Sequence, residues 1–476
     1  MKKNQQLEKS LQNGLLNEEE IKQYLKLHSD ITFVSTDNYT NMTAFYCEGM
    51  SDTVQLNEYF HVVLAYISGD SETGTNHLPP ISRISTMEAM TEKLFSGFLI
   101  FYKEEDSFFY SVDIAEIPQR KPEESKTEVS LKGPRDGFTE EVNVNVSLIR
   151  KRLKTVKLYN ETFDVGSLSQ TKVSLLYLGD KSNSDTIEEV RKRIEKIETE
   201  SLISAGQLEQ WIADRSFSLF PHFDYITRPD FAVESLLRGR FLIIVDGSPM
   251  ILIGPINILA LLKSPEDVHF PFHIVALQRL LRIVGLQVAI FLPGIYIAVT
   301  NVNLDQLPFS LLATIVISRE GLPLSLPLEA FFILILFELL KEAGIRLPTA
   351  IGQTISIVGG LIIGDAAIRA GIASPTLLVT IALSLVATYT LVNQSLTGTV
   401  TILRAYSMLI ATFLGVYGFF ISLLSIVIYL SQLESFKLAY LEPISSINYK
   451  DFLKAFMTNP FNRKNYTSTM LNKRRR

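Results

Sequence analysis

The sequence predicts a membrane protein, with an α/β cytoplasmic N-terminal region of two lobes followed by an α-helical transmembrane bundle. Three observations predict it. Residues 283–300, IVGLQVAIFLPGIYIAVT, and residues 405–430, AYSMLIATFLGVYGFFISLLSIVIYL, carry no charge. Each reaches the ~18 to 20 residues that a helix needs to cross hydrocarbon. Charge is divided unevenly, with 29 basic and 41 acidic residues up to position 270, then 16 basic and 9 acidic after it. The net charge of −5 thus conceals an acidic front and a basic membrane part. Before position 270 the apolar residues fall in short strand-like runs and at helical spacing instead. An acidic front argues against nucleic acid or an anionic membrane surface as its main partner.

Taken in order, LEKSLQNGLL and EEEIKQYLKL have helical spacing, and GFLIFYKEEDSFFYSVDI reads as two strands joined by a turn. The stretch PQRKPEESKTEVSLKGPRDG breaks the pattern with Pro, Lys and Glu. It divides the soluble part near residue 130, giving lobes at 1–130 and 131–270. TIEEVRKRIEKIETE reads as a charged, solvated helix. RGRFLIIVDGSPMILIGPINILALL, residues 238–262, is either a buried hairpin or a membrane span. The turn chemistry of Asp246 and Gly247, and the interruption by Pro249 and Pro255, favour the hairpin. The opening MKKNQQLEKSLQNGLLNEEE lacks the apolar core of a secretory signal, so the first lobe is expected on the cytoplasmic side. Cys47 is the single cysteine, so no internal disulfide forms, which fits a reducing compartment.

The membrane domain is expected at 271–430, with a basic tail at 431–476. Its apolar segments are 283–300, 323–340, 351–368, 375–396 and 405–430; LPFSLLATIVI, within 307–317, is too short to cross. Arg279, Arg282, Lys341, Arg346, Arg404 and the closing KRRR mark the cytoplasmic face. Five crossings from an inside N-terminus would leave that basic tail outside. One segment is therefore expected to be re-entrant or a broken hairpin.

No catalytic signature is present: there is no G-x-x-x-x-G-K-[ST], no H-E-x-x-H and no paired C-x-x-C, so an enzyme is not expected. Glu266, Asp267, His269 and His273 come nearest to a metal set, but polar residues at a membrane entry serve equally as solvation, and no metal or cofactor is expected. The membrane carboxylates Glu329 and Glu338 are nine residues apart, half a turn out of phase, so they cannot form one site. Each snorkels to its own interface, or Glu338 pairs with Lys341 or Arg346 while Glu329 faces an aqueous vestibule. In TAIGQTISIVGGLIIGDAAIRAG, Gln353, Ser356, Gly360, Gly364 and Ala367 fall on one helical stripe. Such a stripe permits close helix packing or a narrow hydrated path.

The stretch FELLKEAGIRLPTAIGQTISIVGGLIIGDAAIRAGIASP, with LKGPRDGFTEEVNVNVSLIRKRLK, TRPDFAVESLLRGRFLIIVDGSPMILIGP, KSPED and ISREGLPLSLPLEA, resembles the GerA-type A subunits of bacterial spore germinant receptors. The likeness runs from about residue 130 to about residue 445. It implies a nutrient-sensing complex in the spore inner membrane, with the N-terminal domain facing the spore core. In that complex the A subunit acts with a permease-like B subunit and a lipoprotein C subunit. It also implies a homo-oligomer of A subunits around a path for monovalent cations, with Gln353, Ser356, Gly360 and Gly364 as pore-lining or gate candidates. FKLAYLEPISS departs from the family pattern. Three alternatives stay open: a family relative that amplifies germination without its own nutrient partner, a non-conducting membrane scaffold, and a secondary transporter.

Overall fold

The structure is a computed structural model; it describes residues 7–8, 10–11, 16–36, 41–69, 78–104, 106–116, 132–215, 217–346 and 364–445. In the first lobe, β1 (Ile31–Val34), β2 (Met42–Cys47), β3 (Ile81–Ile84), β4 (Phe98–Lys103) and β5 (Phe109–Asp113) form an antiparallel sheet in the order β1-β2-β4-β5-β3. Adjacent strand residues point to opposite faces. Phe45 and Ile100 therefore pack beneath α1 (Glu18–Leu25) and α3 (Met87–Leu94), while Ala44 and Phe101 pack beneath α2 (Thr53–Ser68). Asn17, Asp52 and Thr86 cap these three helices with side-chain oxygens that accept from their first-turn amides.

The second lobe repeats the plan with β6 (Leu158–Val165), β7 (Thr171–Leu178), β8 (Asp224–Ile226), β9 (Phe241–Val245) and β10 (Ile251–Gly254), in the order β6-β7-β9-β10-β8. Helices α4 (Val142–Arg150) and α7 (Pro229–Leu237) cover the face holding Leu242 and Ile244; α5 (Ser184–Glu195) and α6 (Ala205–Ile212) cover the face holding Ile243 and Val245. With both faces covered, FLIIV needs no polar alternation. It pairs with β10 through Leu252↔Ile243 and Ile253↔Leu242, so 238–262 is a buried hairpin. The lobes are joined by buried charge. Arg150 donates through Nε to Asp30 Oδ2 at 2.9 Å, and its Nη2 lies 3.1 Å from His28 Nδ1.

The short α8 (Ile258–Leu261) leads to the apolar helices α9 (Phe272–Ile297), α10 (Phe309–Ser318), α11 (Leu326–Arg346), α12 (Pro375–Thr388) and α13 (Gln394–Ser431). Among the described residues two stretches, Phe272–Val302 and Ser395–Ser431, are long and apolar enough to cross a membrane. The second does not run straight. The 38 residues of α13 would extend ~57 Å as one helix, nearly twice the hydrocarbon core. Instead Gly415 takes φ 60° and ψ −139°, outside helical space, and the chain doubles back. Tyr406 OH and Ser425 Oγ, 19 residues apart, meet at 2.8 Å, where a straight helix would hold them ~28 Å apart.

Both ends of this hairpin return to the second lobe. Asn393 Nδ2 donates to Asp224 Oδ1 at 2.5 Å, and Tyr440 OH donates to the Pro221 carbonyl at 2.9 Å. The run 405–430, expected as a single span, is thus one limb's end and a return limb, which is the broken hairpin that the charge pattern required. Phe436, from the FKLAYLEPISS stretch, inserts between Phe223 and Phe241 in the core of that lobe.

Candidate functional site

Glu329 lies in the first turn of α11 and is fully buried. Its Oε1 accepts from the Ser374 amide and, at 2.7 Å, from Ser374 Oγ. Ser374 is the N-cap of α12, with Pro375 at the first helical position, so the carboxylate sits where free amides and the positive end of the helix dipole favour a negative charge. Arg319 Nε stands 3.8 Å from Oε2. The expectation of an aqueous vestibule at Glu329 does not hold in this conformation, and neither does snorkelling: the carboxylate is enclosed and serves as a helix cap. The physical reason is a partner 45 residues away, outside any local window.

Glu338 sits deeper along α11 and does pair with Lys341, at 3.3 Å between Oε2 and Nζ. Its other oxygen accepts from Thr401 Oγ1 at 3.0 Å and lies 3.7 Å from Arg404 Nη1. Arg404, entirely buried, holds the helices together here. Its Nε donates to the Ala289 carbonyl at 2.7 Å, and its Nη2 donates to Thr388 Oγ1 and to the Ser384 carbonyl. The Ala289 carbonyl is available because its usual partner four residues on is Pro293, which has no N–H. At the next residue, a Cβ on Gly294 would come within 2.5 Å of Ser407 Oγ, so the glycine lets α13 approach α9 at the level where the arginine enters. One guanidinium therefore links α9, α11, α12 and α13. Its acceptors offset much of the cost of an intramembrane charge.

Arg346 is the last residue of α11. Gln353, Ser356 and Gly360 lie outside the described residues. Gly364 is described, and a Cβ there would make an ordinary 3.4 Å contact with Leu378 Cδ2 of α12, so this glycine lies against a neighbouring helix.

A third constellation joins lobe to membrane. Asp267 is buried between Arg279, whose Nε lies 2.8 Å from Oδ2, and Arg282, whose Nη1 lies 2.9 Å from Oδ1. Arg282 Nη1 also donates to the Leu262 carbonyl at 3.1 Å. Next to it, Asp230 receives Arg228 Nη2 at 2.6 Å and meets His269 Nε2 at 2.9 Å, while Arg228 Nη1 reaches Glu266. Burial opposes the charge on Asp230, but the bonds from Arg228 and His269 outweigh it and hold its carboxyl below the ordinary range. Gly133 of the KGPRDG stretch closes this cluster, since a Cβ there would collide with Arg228 and His269. Three of the residues that came nearest to a metal set, Glu266, Asp267 and His269, are thus engaged with arginines or with Asp230, and His273 is exposed and lies edge-on to Phe272. From the sequence, Arg279, Arg282 and Arg404 read only as orientation markers; the acidic loop at 265–267 just before Arg279 and Arg282 was the signal of their pairing, while nothing near Arg404 in the chain announces its partners.

Residues 19–470 match the family described as Bacillus/Clostridium GerA spore germination protein. Spore germination protein XA of Bacillus anthracis is 45% identical over 376 residues, covering 79% of this chain and 76% of that protein. A protein of Bacillus subtilis (strain 168) described as the uncharacterized membrane protein YfkQ is 32% identical over 442 residues, covering 91% and 86%. Among solved structures, the N-terminal domain of the A subunit of the Bacillus megaterium spore germinant receptor GerK3 aligns with 25% identity and a TM-score of 0.36. It covers 49% of this chain and 91% of that one.

Proposed function

The chain belongs to the GerA family of spore germination proteins, and from that membership we propose that it is the A subunit of a germinant receptor whose copies assemble around a cation path that opens when nutrient is sensed. The match across nearly the whole chain carries this reading. In it the two lobes face the spore core beneath the inner membrane, a permease-like B subunit and a lipoprotein C subunit act beside the A subunits, and the nutrient is recognised outside this chain. The Gln353, Ser356, Gly360 and Gly364 stripe surrounds the path, and opening releases monovalent cations.

Two features support assembly. Only 22% of the apolar window in Ser395–Ser431 is buried within one chain. Its limbs expose Phe413, Tyr417, Phe420 and Leu424, which need lipid or neighbouring subunits to cover them. The test is the purified full-length protein in a planar bilayer, alone and with its two partner subunits. A monovalent-cation current that Gly360→Val blocks or holds open is the expected result, because one added isopropyl group fills a path lined by glycine. A monomer without current in either preparation would favour the scaffold alternative and end the channel proposal.

A further inference from the structure

In the second sheet Asp224, Phe241 and Gly254 lie at one end, from which the chain continues to α8 and α9, and the turns after β6 and β9 lie at the other. The connection from α6 to β8 arrives at the first of these ends. There the Leu219 amide donates to the hydroxyl of Tyr429, in the last turn of α13, at 3.0 Å, and the Leu219 carbonyl accepts from Thr399 Oγ1. Thr399 is the sixth residue of α13, so this backbone stands ~8 Å up the hairpin from its start. Next in the chain, Phe220 is buried in one apolar cluster with Leu286, Ala289 and Ile290, all within the charge-free run 283–300. The connection therefore climbs beside the helices to the depth where that run begins. Its other large apolar side chains face outward: Phe217 is fully exposed, Trp211, in the last turn of α6, is 49% exposed, and Leu219 is exposed as well. The one acid in 211–219, Asp214, meets Arg193 at 2.7 Å and accepts from the Phe436 amide at 2.6 Å, so its charge is compensated.

We propose that Trp211, Phe217 and Leu219 form an interfacial anchor, by which the second lobe enters the lipid bilayer beside the α13 hairpin. The partner is the glycerol and upper acyl region of the bilayer, whatever the headgroup charge. Aromatic side chains, Trp above all, favour this boundary because the ring body sits among acyl chains while the indole N–H stays with polar groups. Arg215, exposed between them in the chain, has a stem long enough to lie on apolar surface with its charge at headgroup level. The same limbs of the hairpin expose Ile402 and Ile428 close to the level of Thr399 and Tyr429, so the anchor continues an apolar surface that the membrane covers. That continuity favours lipid over a soluble partner. The anchor requires the hairpin to lie in a membrane and does not depend on whether copies of the chain conduct.

Trp211 is the only tryptophan, so its emission reports on the anchor without labelling. The full-length protein is placed in phosphatidylcholine nanodiscs, with or without acyl chains brominated near the glycerol, and quenching by lipid is compared with quenching by aqueous iodide. The reference is Trp211→Phe combined with Leu168→Trp. Leu168 is 78% exposed in the turn after β6, an eight-residue strand or ~26 Å from the membrane end of the sheet. Brominated lipid is expected to quench wild type several-fold more than this reference, and iodide to quench the reference several-fold more than wild type. Trp211→Phe combined with Phe217→Trp moves the reporter along the anchor and should respond as wild type does; the unaltered protein carries the test if either double variant fails to fold. Emission that iodide quenches and brominated lipid does not would put the anchor in water and overturn the proposal. Emission shielded from both quenchers would mean a protein cover, such as a neighbouring copy, and would overturn it as well.

Discussion

Arg404 shows how one residue turns a backbone defect into a tie. Pro293 cannot donate to Ala289, and the orphaned carbonyl becomes the acceptor that an intramembrane arginine needs. Arg404→Ala removes the donor to two carbonyls and Thr388 and leaves Glu338, among the described residues, with Lys341 and Thr401. It is expected to cost about 3 to 5 kcal/mol, read as the loss of thermal stability of the detergent-purified protein. Pro293→Ala restores an N–H that competes for the Ala289 carbonyl, with a smaller expected loss of about 1 kcal/mol. His28 makes a different prediction, in the soluble region. Burial first, and then the Arg150 guanidinium, lower its pKa from 6.5 to about 3. Between those values the unfolded chain binds the proton and the folded lobe does not, so the contribution is present above 6.5 and is lost as pH falls towards 3. Asp30 acts in the same direction at lower pH: burial opposes its charge, Arg150 more than compensates, and its carboxyl is held below the ordinary value. The stability of the full-length protein, read through its melting temperature, should therefore fall between about pH 7 and about pH 5, by no more than ~1.4 kcal/mol per pH unit from His28. His28→Gln should flatten that slope.

At the scale of elements, the hairpin in α13 depends on a glycine that the sequence does not advertise. The run 405–430 is uniformly apolar, and hydropathy measures length without direction, so it reads as one span. Two contacts set the reversal. Asn303, just beyond α9, accepts from the Val416 amide at 2.9 Å and so caps the return limb. Farther along, a Cβ on Gly418 would come within 2.5 Å of the Ile410 carbonyl, so only glycine allows the limbs to approach this closely. Gly415→Ala forces a side chain into positive φ and into Asn303 Oδ1, and is expected to destabilise the protein by at least ~1 kcal/mol. The geometry can be checked directly in a Cys47→Ser background, where Tyr406→Cys with Ser425→Cys should be bridged within one chain by a short thiol-specific cross-linker whose reach is well under the ~28 Å that a straight helix would put between them. Failure to cross-link, with Gly415→Ala as stable as wild type, would mean a continuous helix. The strands β9 and β10 were legible, by contrast, because Asp246-Gly247 announces its turn locally. Glu329 was legible as a membrane carboxylate but neither as buried nor as a cap, since Ser374 and Arg319 reach it only through tertiary packing.

For the molecule as a whole, two lobes and a set of apolar helices could be read from composition, but their connection could not, because ion pairs between loop and helix leave no periodicity. Among the described residues that connection runs through Asp267 with Arg279 and Arg282, Asn393 with Asp224, Tyr440 with the Pro221 carbonyl, and Phe436 in the core of the second lobe. These contacts join the second lobe to membrane helices or to the chain that follows them. Asp267→Asn tests whether the tie transmits or merely stabilises. Removing the carboxylate leaves two arginines that are nearly buried and short of a counter-ion, so stability falls by about 3 to 5 kcal/mol for either role. The combination Asp267→Leu, Arg279→Met and Arg282→Met separates the roles, since apolar replacement of a whole buried ion cluster is often close to neutral in stability. A transmitting tie predicts that spores carrying the triple variant contain normal amounts of folded protein yet release cations slowly or not at all when nutrient is added. A purely structural tie predicts that the triple variant germinates like wild type.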